Sequence, residues 1–324
     1  MRNEVELSGW GSTFRIGRTG NQYIAGFNAL GLAACCAAVA KLPANHFAPQ
    51  LPFPRRTRFD FTHLAPAENV SMCLRVPVRK HAEYFWPIGE GQQFRACAPH
   101  KLRAARDAMR EYAAYDQTRC PASVLVGART VPLAHTLVMH VRSGDIFPRP
   151  GGAAMYQPPP LSFYLDAWQK SNCTFAVVLS EDDANPCIPR FRALQTRTAN
   201  VAVFTHRSWL EDLQLLLCAP QLALSHTSLR HWFEDQPRRA LFSHQFSNAV
   251  DGALVLGRPA HVRDWWVWRD RVARGRWLAS PQQLEALVAP ADARGPDWAQ
   301  VPKLRGQCST VGADADNFVR SVYM

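Results

Sequence analysis

The chain has 324 residues, of which 47% are hydrophobic and 19% are charged, and its formal net charge at pH 7 is +11. This composition excludes a disordered chain, and the length favours two ordinary domains over one large core. The positive charge favours an anionic partner, which could be nucleic acid, an anionic membrane surface or a nucleotide-type substrate. Because the basic residues are scattered, the sequence lacks the block of like charges that marks a nucleic-acid-binding tail.

The first predicted element is a glycine-bracketed polar turn, GRTGNQ at Gly17–Gln22, which leads into an alanine-rich helix from about Tyr23 to Lys41. Such a turn exposes backbone amides at a helix amino terminus, where a negative group is favoured. The alternative is a tight strand-to-helix connection. Since the stretch Tyr23–Leu42 contains glycine and asparagine and lacks a basic leader and a cleavage site, we expect neither a membrane span nor a signal anchor.

Residues 43–66 are rich in proline and arginine and predict an extended excursion. Residues 71–78 predict an edge strand that is limited by Pro77. Lys101–Tyr115 predicts an amphipathic helix, and Cys120–Val131 predicts the crossing into a second domain. The face of this helix that we expect to be buried consists of Leu102, Ala105, Met109 and Tyr112.

The central feature of the sequence is the apolar run Thr136–Val141, which predicts a strand covered on both faces. Polar residues crowd its carboxyl end, where ligands bind in open α/β sheets. Arg142 offers a planar set of donors that matches phosphate, and Asp145 could orient that arginine or bind a sugar hydroxyl. The alternative is a structural Arg–Asp pair that only fixes the turn. The polar group is His140, Arg142, Ser143 and Asp145, with Gly144 allowing the turn.

The same pattern of apolar strand, polar end and helix recurs three times, at Phe175–Leu179, Val201–Phe204 and Gln221–Leu224. Four such units predict a parallel α/β sheet whose polar ends share one edge and form a single cleft. Ser208 and Glu211 predict a capping box at the start of a helix with a buried leucine stripe. The three further polar ends are Ser180, Glu181, Asp182 and Asp183; Thr205, His206 and Arg207; and Ser225, His226, Thr227 and Ser228.

The carboxyl-terminal part is less distinctive. Arg263–Trp277 interleaves arginines with four tryptophans, and we favour an amphipathic helix packed on the body over a surface for stacking bases or sugars. Residues from 291 to 324 predict a closing strap or a loose tail. The nine cysteines contain no CxxC pair, so the sequence carries no zinc signature, and their odd number leaves at least one thiol. Two N-glycosylation sequons, at Asn69 and Asn172, are compatible with a secretory lumen.

Four motifs follow one another along the chain: GRTGNQ (17–22), HVRSGD (140–145), SEDD (180–183) and EDLQLLLCAPQLALSHTSLRHWF (211–233). In this order they resemble the fucosyltransferase superfamily that includes the α1,2-fucosyltransferases and the protein O-fucosyltransferases. The resemblance spans residues 17 to about 233. It implies an α/β, GT-B-like fold of two facing Rossmann-like domains with parallel sheets. Residues 1–125 would form the acceptor-side domain and residues 126–290 the domain that binds the nucleotide sugar, followed by the tail at 291–324.

The resemblance also implies an inverting fucosyl transfer from GDP-fucose to a glycan or glycoprotein hydroxyl, with no metal and no cofactor other than the donor sugar nucleotide. By position in the motifs, Arg142 would hold the diphosphate with support from His140 and Asp145, and Asp182 would face the guanine. The remaining donor-binding set would be Thr227 and Ser228 on phosphate oxygens, Ser180 and His226 beside them, and Gly20 and Asn21 approaching from the opposing domain. We expect no nucleic-acid partner, see no membrane anchor, and expect a Golgi or ER lumen only by analogy with the family.

Two departures from the family pattern leave the acceptor and the donor sugar open. Ser143 stands where α1,2-fucosyltransferases commonly have a second arginine, and HTSLRHW at 226–232 replaces a motif that reads roughly Asn-Ser-Thr-Phe-Ser-Trp-Trp. They motivate an alternative, a catalytically degenerate GT-B shell that binds a carbohydrate or a protein. His140, Asp145 and Asp182 are candidate general bases by residue type. A dinucleotide-dependent enzyme is disfavoured because no GxGxxG follows any predicted strand.

Overall fold

A computed structural model describes most of the chain between Glu4 and Gln300. The described residues are 4–8, 19–42, 56–64, 79–80, 99–147, 157–225, 227, 232–233, 236–245, 262–269, 277–289 and 298–300. The strand predicted at 71–78 therefore lies outside the described residues, as does most of the tail.

The described residues of the amino-terminal part form a small, mostly parallel sheet with two helices. Its strands lie in the order β3-β2-β1-β4, where β1 is parallel to β2 and β4, and β2 is antiparallel to β3. Since β1 and β2 are parallel neighbours joined through α1, they form a crossover unit. The elements are β1 (Glu4–Ser8), α1 (Thr19–Cys35), β2 (Val39–Lys41), β3 (Arg58–Asp60), β4 (Arg79–Lys80) and α2 (Pro99–Tyr112).

The prediction for α1 was wrong at both ends. The helix begins at Thr19, inside the GRTGNQ motif, and ends at Cys35. Ala37 adopts the left-handed conformation (φ 51°), which breaks the helix, and Val39–Lys41 then pairs with β1 as a strand. The prediction failed because an alanine-rich run has no hydrophobic periodicity that marks where the helix ends. Helix α2 was predicted more accurately because the apolar residues of its buried face are spaced for a helix.

The stretch that we predicted as the crossing into a second domain, Cys120–Val131, contains most of a hairpin. Strands β5 (Ser123–Val126) and β6 (Arg129–Pro132) pair antiparallel. Gly127, at φ 60°, occupies the left-handed region in the two-residue connection, which glycine adopts without strain.

The main body is a seven-stranded sheet in the order β13-β12-β11-β10-β7-β8-β9. Neighbouring strands are parallel except for β13, which is antiparallel to β12. The four strands predicted from apolar runs are confirmed as β7 to β10. The strands are β7 (Thr136–His140), β8 (Phe175–Ser180), β9 (Val201–Thr205), β10 (Gln221–Leu224), β11 (Arg238–Gln245), β12 (Val262–Arg269) and β13 (Trp298–Gln300). The helices are α3 (Leu161–Ser171), α4 (Cys187–Arg197), α5 (Trp209–Cys218) and α6 (Pro281–Val288).

Both faces of this sheet are covered by apolar side chains. Val138 and Val177 belong to one buried cluster, while their neighbours Met139 and Val178 belong to the other. The first cluster also contains residues of α1 and α2, so the two sheets share a continuous apolar core. The fold is thus mixed α/β with a Rossmann-like, mostly parallel sheet.

The first part of the tryptophan-rich stretch predicted as a helix, residues 263–269, lies in strand β12, and residues 270–276 fall outside the described residues. Trp265 and Val267 lie in one core cluster, whereas Trp266 and Trp268 pack against the other. This two-residue alternation is that of a strand buried on both faces, and a run of bulky residues on both faces hides the period from sequence reasoning. The prediction that the tryptophans pack on the body is confirmed.

The predicted capping box at Ser208 is also wrong. Ser208 occupies the N-cap of α5, but its side chain makes no capping hydrogen bond there, and Arg207 Nε lies 3.6 Å from a carboxylate oxygen of Glu211. The ion pair competes for the carboxylate that the capping box needs. Among the described residues, a complete capping box is formed by Ser280 and Gln283 at α6.

A disulfide and a buried arginine hold the end of α5. Cys120 is bonded to Cys218 across 98 residues of sequence. Arg238, only 5% exposed, donates to the carbonyl oxygens of Leu216, Ala219 and Phe233 at 2.7 to 3.0 Å. Burial lowers the pKa of Arg238 to about 9, which leaves the guanidinium protonated at neutral pH. The cation therefore satisfies carbonyl groups at the negative end of the α5 dipole.

Cys35 and Cys36 are disulfide-bonded as well, while Cys173 and Cys187 are thiols. The odd cysteine count thus leaves thiols, as expected. Within the described ranges, no helix has the length and apolar character needed to cross a membrane.

Candidate functional site

The polar ends of four parallel strands lie along one edge of the large sheet. Leu224, His140, Leu179 and Phe204 are paired in register across β10, β7, β8 and β9, and the polar residues follow immediately. This confirms that the separate motifs share an edge. Helices α3, α4 and α5 follow β7, β8 and β9, so their amino termini, which favour negative charge, begin on the same side of the sheet.

Arg142 lies two residues beyond the end of β7. Its backbone carbonyl accepts a hydrogen bond from Asn185 Nδ2 at 2.8 Å, and the residue is partly exposed. Val141 extends the strand by donating to Leu179 O at 2.9 Å. The backbone that carries the guanidinium is therefore fixed on both sides.

Asp182 holds the turn of the HVRSGD motif through one carboxylate oxygen. Oδ1 accepts hydrogen bonds from the Ser143 hydroxyl, the Ala184 amide at 2.9 Å and the Gly144 amide at 3.3 Å. The Ser143 oxygen in turn accepts from the Asn185 amide at 3.0 Å. Although partial burial acts to raise it, these hydrogen bonds hold the pKa of Asp182 below its usual range. We call Ser143, Asp182 and Asn185 the turn network.

Gly144 is the residue that makes this turn possible. Its φ is +63°, and a Cβ atom at this position would collide with the carboxylate of Glu181. The backbone conformation therefore favours glycine at this position, whereas the Glu181 side chain could move away from a Cβ atom.

A second polar group lies at the ends of β7 and β10 and consists of His140, Ser225 and Tyr164. His140 Nδ1 is 2.7 Å from Ser225 Oγ, and His140 O accepts from Tyr164 OH at 3.3 Å and from the Ser225 amide at 3.2 Å. Burial, with a smaller contribution from the Arg142 charge, lowers the pKa of His140 to about 4. The imidazole is therefore neutral at pH 7, while burial raises the pKa of Tyr164 and keeps it a hydrogen-bond donor.

An exposed charged group lies just beyond β8 and β9, where Asp183 contacts both His206 and Arg192 of α4. Arg192 donates to Asp183 and to the Thr205 hydroxyl, both at 2.7 Å, and His206 Nε2 lies 3.5 Å from Asp183. The hydrogen bond from Arg192 is the main reason that the pKa of Asp183 is low. His206 adopts a left-handed conformation (φ 57°), and its amide donates to Glu181 O at 3.2 Å.

Asp212, in the first turn of α5, is an acidic group that sequence reasoning did not single out. Burial raises its pKa to about 6, and Glu211 adds to this while Arg207 opposes it. Arg207 Nε lies 3.8 Å from Asp212 Oδ1, which is beyond hydrogen-bond length. The raised pKa leaves part of the population protonated near neutral pH.

The other predicted site residues have different positions. Ser180 is buried and donates to the backbone oxygen of Asp182 at 3.0 Å, so its hydroxyl stabilises the turn. Thr227 is buried beyond β10. Asp145 lies in a short 3₁₀ turn, Gly144–Ile146, and only its backbone is described. Gly20 and Asn21 lie in the first turn of α1, and His226 and Ser228 fall outside the described residues.

Asn185 is the main residue of this site that sequence reasoning missed. It is fully buried, and besides its bonds to Arg142 and Ser143 its Oδ1 accepts from the Cys187 amide at 2.9 Å. The dipeptide Asn185-Pro186 just before a helix was the available signal, because asparagine and proline are typical of helix starts. The position of its amide against β7 depends on tertiary packing and has no local signature.

The fold and the site together define a Rossmann-like α/β protein with a polar, arginine-bearing edge at the carboxyl ends of its central strands. Comparisons with protein-family models, curated proteins and solved structures find no match to the chain. In the described part of the chain, no group of three His, Cys, Asp or Glu side chains is arranged to hold a metal ion.

Proposed function

We propose that the chain is a GT-B-like glycosyltransferase that binds a nucleoside-diphosphate sugar at this edge and transfers the sugar with inversion, without a metal, to a glycan or glycoprotein hydroxyl. GDP-fucose is the donor that the motif resemblance favours. In this proposal the large sheet belongs to the donor-binding domain, and the small sheet with α1 belongs to the acceptor side.

The observation that carries the proposal is the position of Arg142. It follows β7, an interior strand, at the carboxyl edge of a mostly parallel sheet, where ligands bind in open α/β folds. Its backbone is fixed by Asn185 and by the pairing of Val141 with β8. A planar, permanently charged donor group placed in this way matches a diphosphate.

The chemical task of the site would be to stabilise negative charge that grows on the leaving nucleoside diphosphate. Arg142 and the amino termini of α3, α4 and α5 would supply preorganised positive potential. His140 would support them as a neutral hydrogen-bonding group, because its pKa is about 4. Removing one such preorganised donor typically costs about 3 to 4 kcal/mol in the transition state.

The three candidate general bases have different proposed roles. His140 is a weak base at neutral pH for the reason just given, and the pKa of Asp182 is also low while its Oδ1 is engaged in the turn network. Both are therefore better suited to position Arg142 than to accept a proton. Of the three candidates by residue type, this leaves Asp145 as the proposed general base.

The test is a transfer and hydrolysis screen against GDP and UDP sugars, with Arg142→Lys as the diagnostic variant. We expect turnover with one GDP sugar and its loss in Arg142→Lys, since lysine retains the charge but not the planar set of donors. The matched control is Arg197→Lys, an exposed arginine at the far end of α4, which should retain full activity. Near-wild-type transfer by Arg142→Lys would refute the assigned role.

A second candidate is a catalytically degenerate GT-B shell that binds a carbohydrate or a protein. It is favoured by the internal use of the Ser180 hydroxyl and of Asp182 Oδ1, which reduces the polar groups offered to a ligand. This candidate predicts no turnover with any donor and no saturable heat on titration with GDP. Turnover with a GDP sugar would exclude it.

A further inference from the structure

The turn between α3 and β8 carries the sequon Asn172-Cys173-Thr174 on the surface of the protein. Asn172 and Thr174 are exposed, whereas Cys173 between them is half-buried. Asn172 is the C-cap of α3 in the left-handed conformation (φ 53°), which asparagine tolerates better than most residues. The two residues that define the sequon thus face solvent.

The turn is fixed by the residue between them. Trp168 Nε1 donates to Cys173 O at 2.9 Å, the Cys173 amide donates to Ser171 Oγ at 3.1 Å, and Gln221 Nε2 lies 2.8 Å from Cys173 Sγ. These contacts turn Cys173 toward the body of the protein. A large group on Asn172 would therefore extend into solvent without disturbing packed side chains.

The disulfides supply an independent observation about the compartment. Cys120 is bonded to Cys218, and Cys35 and Cys36 are also disulfide-bonded. Disulfides form and persist in oxidising compartments such as the ER lumen, and N-glycosylation of this sequon also belongs to secreted proteins.

We propose that Asn172 carries an N-linked glycan. The step joins Asn172 Nδ2 to the anomeric carbon of an oligosaccharide and breaks the bond between that carbon and a lipid diphosphate. The lipid diphosphate leaves with the bonding electron pair, and Nδ2 loses one proton. The lipid-linked oligosaccharide and the transferase are supplied by the secretory pathway of the cell.

The site lies on the opposite edge of the sheet from Arg142. Helix α3 begins on the carboxyl side of β7 and runs back over 11 residues, about 16 Å, before β8 starts at Phe175. A glycan at Asn172 therefore leaves the candidate donor site open. This inference does not depend on the proposed glycosyltransferase activity.

The test is secretory expression of the full chain in a eukaryotic host, followed by peptide mass spectrometry before and after treatment with peptide N-glycosidase. We expect the peptide containing Asn172 to be glycosylated. Thr174→Ala should abolish the glycan while leaving the Asn172 C-cap unchanged, and Thr174→Ser, which preserves the sequon, should retain it. Resolving the peptides separates this site from the sequon at Asn69.

Either of two results would overturn the proposal: an unmodified Asn172 peptide in secreted, disulfide-bonded protein, or a modification at Asn172 that survives Thr174→Ala.

Discussion

Replacing Ser143 by alanine is the sharpest test of the turn network. Ser143 and Asn185 are 1% and 0% exposed. The substitution removes a donor to the Asp182 carboxylate and leaves the Asn185 amide without its acceptor. A hydrogen bond to a charged group contributes about 1.5–3 kcal/mol, and a buried unsatisfied donor costs about 1–3 kcal/mol. Both effects come from the loss of the same hydroxyl, so their upper limits are not added. We expect the free energy of unfolding to fall by about 3 kcal/mol.

Urea unfolding followed by tryptophan fluorescence measures this loss as a lower midpoint at an unchanged m-value. The matched control is Ser162→Ala, a partly exposed serine in the first turn of α3, which should change stability by less than about 0.5 kcal/mol. If Ser143→Ala were no more destabilising than Ser162→Ala, the turn network would not hold the backbone of Arg142 in the way described.

Three further predictions concern the buried Arg238, the Asp182 carboxylate of the turn network and the disulfide between Cys120 and Cys218. Arg238→Met should destabilise by about 3 kcal/mol or more, because three buried carbonyls lose their donor, whereas the exposed neighbour Arg239→Met should be nearly neutral in the same urea assay. Folding lowers the pKa of Asp182 below its ordinary value of 3.8. The ionised carboxylate therefore stabilises the folded protein above pH 3.8, and this stabilisation is lost as the pH falls through the lower pKa of the folded state. Acid titration should therefore show Asp182→Asn less stable than wild type at pH 7, with the difference shrinking as the pH falls below 3.8. Replacing Cys120 and Cys218 by serine should lower stability by up to about 5 kcal/mol in urea unfolding, since the bond closes a loop of 98 residues.

The sheet was predictable wherever an apolar run ended abruptly in polar residues. Strands β7 to β10 each carry this signal, and the parallel connection through helices follows from their spacing. The shared edge is then a geometric consequence, because the carboxyl ends of parallel strands meet on one side of a sheet. Strand β12 was not predicted as a strand, because tryptophans on both of its faces remove the alternation of apolar and polar residues that would identify it.

The details of the site depended on tertiary contacts that have no local signature in the sequence. The family pattern suggested that Ser143 replaces a second arginine, and the structure explains the consequence, since Ser143 is buried between Asp182 and Asn185. An arginine there would bury a charge within the turn network. Likewise, the ion pair between Arg207 and Glu211 replaced a capping box that local sequence favoured.

Titration calorimetry with GDP tests the central claim most directly, because it asks whether the edge around Arg142 holds a nucleoside diphosphate. We expect saturable heat with the wild-type chain, unchanged affinity in Arg197→Lys, and at least about tenfold weaker binding in Arg142→Met, since a charge-assisted hydrogen bond contributes about 1.5–3 kcal/mol. The absence of saturable heat from the wild-type chain, or equal affinity of Arg142→Met, would contradict the account.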